Sequence, residues 1–165
     1  MRTPICPRNG PRPRRIATQA VNDALDILNS NLDCRCFLTT FVSGDNPEDV
    51  LREIKNHGIG GTGGIVRGNP DASTTDIAQT FPAAGGQSRI FLLNNFFSDT
   101  VGGTTTEFPL SQGQARSLTI LHELAHAVYR NFHTPFSMSS PELDRKIFEK
   151  CFHNGQTPLP RGITE

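Results

Sequence analysis

The sequence lacks several features that mark broad functional classes. It has no excess of charge, because 16 Lys and Arg residues balance 16 Asp and Glu residues. The positive field with which nucleic-acid-binding proteins attract phosphates is therefore missing. No apolar run reaches the roughly 18 residues of a membrane-spanning helix, and the first residues lack the apolar core of a secretory signal. We expect no nucleic-acid partner and no membrane span.

The cysteines lack the spacing of a zinc finger. The chain has four cysteines. Cys34 and Cys36 form a C-x-C pair, which a single distant Cys151 does not complete to a zinc-finger pattern. The spacing favours a disulfide from Cys34 or Cys36 to Cys151, although buried free cysteines are also common. Such a disulfide indicates an oxidising compartment and thus favours an extracellular or secreted protein.

Length and composition indicate one domain. A chain of 165 residues, about a third of them apolar, can bury one modest core. Residues 1–16 are rich in Arg and Pro and contain no acid, which is typical of a disordered tail. We therefore predict a basic tail over residues 1–16 and a single, monomeric domain over residues 17–165.

Apolar periodicity and capping residues predict an α+β fold, with a small mixed sheet and several helices. Ser111 and Gln114 form a capping box that opens the longest helix. The predicted helices are Ala17 to about Asn31 with Thr18 as its cap, Pro47 to Gly58 after an Asn46 cap, about Gln112 to Arg130, and Ser140 to about Phe152. The predicted strands lie around Ile65 and Val66, from Ile77 to Phe81, and from Ser88 to Phe97.

The longest predicted helix contains the H-E-x-x-H pattern His122-Glu123-Leu124-Ala125-His126. Histidines four positions apart are separated by about 400° and about 6 Å, so both imidazoles leave one face of the helix. Such a pair can bind one zinc ion (Zn2+), and Glu123 can take a proton from a water that zinc activates. The alternative is a pair of histidines on an ordinary helix.

This motif resembles the active-site helix of the zincin superfamily of metallopeptidases. The resemblance implies a small mixed sheet packed on that helix, a zinc cofactor and a peptide or protein substrate. It also implies that His122 and His126 are metal ligands and that Glu123 is the catalytic base. Zincins bind the substrate backbone along an edge strand, and the run from Ile90 to Asn94 is the candidate for that strand.

The third zinc ligand has two main candidates, and Glu142 or another residue remains open. His133 lies one residue beyond the third histidine of the metzincin pattern, so it reaches the ion only if the helix ends by about Asn131. Asp144 lies on the following helix, from which gluzincins take a carboxylate ligand. The sequence therefore predicts His133 or Asp144.

The predicted function is zinc-dependent hydrolysis of peptide bonds, with Glu123 as general base. The motif also leaves open a metal-dependent hydrolase that acts on non-peptide amides. The alternative from another class is a non-catalytic zinc-binding or interaction domain of a larger secreted or toxin-like protein. The presence of Glu123 argues against that alternative, because a purely structural zinc site has no use for the carboxylate.

Overall fold

The computed structural model describes residues 13–41, 46–59, 63–68, 76–82, 88–129 and 138–152. These residues form a mostly helical α+β structure with one three-stranded mixed sheet, as the sequence predicts at this level. The helices are α1 Pro13–Ser30, α2 Leu32–Thr39, α3 Pro47–Asn56, α4 Thr104–Glu107, α5 Gln112–Tyr129 and α6 Ser140–Ile147. The strands are β1 Ile65–Arg67, β2 Ala78–Pro82 and β3 Ser88–Leu92.

Helix α1 begins earlier than the sequence indicates. Its first residue is Pro13, which suits a helix start because the missing N–H would have no partner there. The last four residues of the predicted tail, 13–16, are therefore helical, and residues 1–12 lie outside the described residues. Thr18 does not cap the helix, because its hydroxyl donates to the Arg14 carbonyl within the first turns.

A disulfide between Cys34 and Cys151 links α2 to the π-helical turn Phe148–Phe152 that follows α6. This confirms the predicted pairing and assigns it to Cys34, while Cys36 is a free, exposed thiol. Helix α2 itself is missing from the sequence prediction. The Asn31 side chain caps α2 by accepting from the Cys34 amide at 3.0 Å, and it donates to the Lys150 carbonyl at 3.0 Å.

The sheet has the strand order β1-β3-β2, with β1 parallel and β2 antiparallel to β3. Ile90 of β3 is therefore paired on both sides, with Ile65 of β1 and Thr80 of β2. The prediction of an edge strand over Ile90 to Asn94 is wrong, because β3 is central and a 3-10 turn over Asn94–Phe97 follows it. Strand β2 lies at the edge next to the site.

Helix α5 runs through the core beneath the sheet. Its capping box forms as predicted: the Gln114 side chain accepts from the Ser111 amide at 2.8 Å, and the Ser111 hydroxyl accepts from the Gln114 amide at 3.3 Å. Helices α1, α3 and α6 also pack on α5. None of the helices among the described residues has the length and apolar character of a membrane span.

Candidate active site

His122 and His126 meet on one face of α5, as helical spacing predicts. Their Nε2 atoms lie 3.2 Å apart, with ring centroids at 5.0 Å. Two nitrogens bound tetrahedrally to zinc at about 2.0–2.1 Å would be about 3.3 Å apart. The pair therefore fits two ligand positions of one zinc ion. The same distance fits a hydrogen bond from one ring to the other, so one proton can also bridge the two nitrogens.

Asp144 reaches this pair from α6. Its Oδ1 atom lies 2.6 Å from Nδ1 of His122, and both side chains are partly buried. A carboxylate on Nδ1 holds the proton there and leaves Nε2 for a metal. Asp144 therefore contacts the ring nitrogen that does not face His126. Its predicted role as a zinc ligand stays a prediction.

The structure brings together two of the predicted ligands. The described residues contain no cluster of three or more His, Cys, Asp or Glu side chains arranged to hold a metal. His133 falls outside the described residues. Glu142 is exposed on the first turn of α6. The identity of a third ligand is therefore still a prediction.

Glu123 is buried between the helix and the sheet, with 5% of its surface exposed. The Thr80 hydroxyl lies 2.6 Å from its Oε2 atom and 3.1 Å from its main-chain carbonyl oxygen. A buried carboxylate needs such a partner, because losing water without compensation is costly. The role of Thr80 is not visible in the sequence, since no local pattern links a strand residue to a helix residue 43 positions away.

Burial and neighbouring charges shift the protonation of the three motif residues in different directions. Burial raises the pKa of Glu123, against the opposing effects of His122 and Thr80. Burial, followed by the charge of His122, lowers the pKa of His126 to about 4. Without metal, His126 is thus neutral at neutral pH and its Nε2 atom can accept a hydrogen bond or bind a metal.

The pKa of His122 shifts in the opposite direction to that of His126, because acidic groups surround His122. Burial disfavours its charged form, but the hydrogen bond that His122 donates to Asp144 and the nearby negative charges outweigh burial and raise the pKa of His122. One of those charges belongs to Asp76, just before β2, which also raises the pKa of Glu123. Asp76 is a second neighbour of the site that local sequence patterns do not reveal.

Comparisons with known proteins identify no family for this chain. No protein-family model, no curated protein and no solved structure matches the chain.

Proposed function

We propose that the protein is a zinc-dependent metallopeptidase with a zincin-like site. The observation that carries the proposal is the 3.2 Å separation of the His122 and His126 Nε2 atoms on the helix that also holds Glu123. Two ring nitrogens at the spacing of tetrahedral zinc ligands, next to a carboxylate, are the chemical groups that metal-assisted hydrolysis requires. The contact between Asp144 and Nδ1 of His122 supports the proposal, because it leaves Nε2 of His122 available for a metal.

His122 and His126 would hold the metal through Nε2. Zinc, when bound, lowers the pKa of a coordinated water toward about 7 and polarises the carbonyl under attack. Glu123 would act as the general base, accepting a proton from the attacking water and giving it to the departing amine. Thr80 already contacts Oε2, so Oε1 is the oxygen assigned to proton transfer.

The substrate backbone would add to the outer edge of β2. Leu93 donates to the Ile77 carbonyl at 3.0 Å, and main-chain groups alternate in direction along an antiparallel pair. The main-chain groups of Ala78 and Thr80 therefore point away from β3. Among the described residues no strand pairs with that side of β2, so an extended peptide can bind there by strand addition.

The non-catalytic alternative is less well supported. A zinc site with a purely structural role does not need a carboxylate beside its ligands, and burying one is unfavourable. Here Glu123 is buried and has a dedicated hydrogen bond from Thr80. The proposal therefore assigns this carboxylate to catalysis.

Metal analysis together with a protease assay tests the proposal. The purified full chain is saturated with zinc, dialysed, and assayed for metal and for cleavage of an unfolded protein substrate. We expect close to one zinc per chain and hydrolysis that chelation abolishes. Glu123→Gln is the matched control: it should keep the zinc and lose turnover by about 100- to 10,000-fold. Unchanged turnover in that variant would refute the role of Glu123.

A further inference from the structure

We propose that Thr80 is a positioning residue that sets the Glu123 carboxylate relative to the substrate backbone. This inference rests on the proposed function and adds to it a residue outside the H-E-x-x-H motif. It stands on the short contact between the Thr80 hydroxyl and Glu123 Oε2. It also stands on the position of Thr80 in the edge strand.

The contact restricts the carboxylate. A threonine hydroxyl has a single proton, and the 2.6 Å distance to Oε2 is shorter than the 3.1 Å distance to the Glu123 carbonyl. The Thr80 hydroxyl therefore donates its proton to the carboxylate rather than to the carbonyl, in a hydrogen bond that is charge-assisted and short. Within the described residues, Thr80 is the hydrogen-bond donor to this carboxylate. Without the hydroxyl, the glutamate side chain would lose the group that selects its orientation.

The same residue lies where the substrate would bind. The side chain of Thr80 points toward α5, while its main-chain N–H and C=O lie in the plane of the sheet and point away from β3. A peptide added to this edge would bond to the main chain of Thr80. Thr80 would then contact both the peptide and the general base Glu123, so the strand that aligns the peptide also aligns the base.

Two variants separate positioning from a structural role. Thr80→Val keeps the size and the β-branched shape and removes the hydroxyl, whereas Thr80→Ser restores a hydroxyl. In the zinc-loaded enzyme we expect Thr80→Val to lower kcat by about 10- to 100-fold, since a small displacement of a catalytic group has effects of this size. KM and zinc stoichiometry should stay within about twofold, and Thr80→Ser should recover most of kcat.

A second measurement does not depend on activity. The Glu123 carboxyl carbon is observed by NMR in protein labelled with 13C-glutamate and assigned by its loss in Glu123→Gln. In the metal-free protein we expect this resonance to move in Thr80→Val and to return in Thr80→Ser. Wild-type kcat and an unmoved resonance in Thr80→Val would overturn the inference. If the wild-type chain cleaves no peptide, the proposed function fails, and the resonance alone decides whether Thr80 orients Glu123.

Discussion

Asp144 Oδ1 lies 2.6 Å from His122 Nδ1, so a carboxylate on α6 orients a histidine on α5. The contact joins residues 22 positions apart and lies on the side of the ring opposite to the nitrogen that faces His126. It resembles the general arrangement in which a metal-binding histidine donates its other N–H to a carboxylate. Asp144 therefore orients the His122 ring, and its predicted role as a zinc ligand stays a prediction.

This relationship yields a prediction about the third ligand. Asp144→Ala should weaken zinc binding by roughly 10- to 100-fold, as expected for a partner of a ligand, and His133→Ala should weaken it more if His133 binds the ion. Zinc affinity is measured by competition with a chromophoric chelator, with exposed Glu149→Ala as control. If Asp144→Ala has the larger effect, Asp144 is the better candidate for the ligand. If neither matters, Glu142 is tested next.

The two motif histidines are expected to be indispensable for metal binding. His122→Ala and His126→Ala each remove one of the paired Nε2 atoms, and neither variant should retain stoichiometric zinc after dialysis. His57→Ala is the control, because His57 is the exposed capping residue that follows the last residue of α3. Elemental analysis gives the zinc content. Full zinc occupancy in both motif variants would rule out this site.

The edge of β2 can be tested through a single main-chain N–H. Ala78→Pro removes the N–H that points away from β3 and leaves the pairing of Gln79 with Phe91 in place. We expect KM for a peptide substrate to rise by about 5- to 10-fold, which corresponds to losing one hydrogen bond of about 1 kcal/mol. Ala78→Val is the control of similar size. An equal rise in KM in both variants would assign the effect to packing.

The Cys34–Cys151 disulfide should contribute strongly to stability. It closes a loop of sequence separation 117, and losing a native disulfide from a small domain costs about 2–5 kcal/mol. Urea unfolding of Cys34→Ser should show that loss in the free energy of unfolding. Cys36→Ser, which changes a free and exposed thiol, is the matched control. If the two variants are equally stable, the disulfide does not form in solution.

Much of the fold follows from local signals. Helix α3 has the Asn46 cap, a proline in the first turn and the Gly58 stop with φ of 99°, all readable from neighbouring residues. Helix α5 begins at its predicted capping box and is helical through Tyr129, while its predicted end at Arg130 lies outside the described residues. Helix α2 was not predicted, because its capping residue, Asn31, is positioned partly by a hydrogen bond to the distant Lys150 carbonyl.

The sequence by itself determined that His122 and His126 share one helical face beside Glu123, because helix geometry is local and repeats every 3.6 residues. Only the tertiary structure decided that β2, and not β3, lies at the edge of the sheet. It also decided that Thr80 contacts Glu123 and that Asp144 contacts Nδ1 of His122. Those relationships join distant segments, and the packing of α6 and the sheet on α5 sets them.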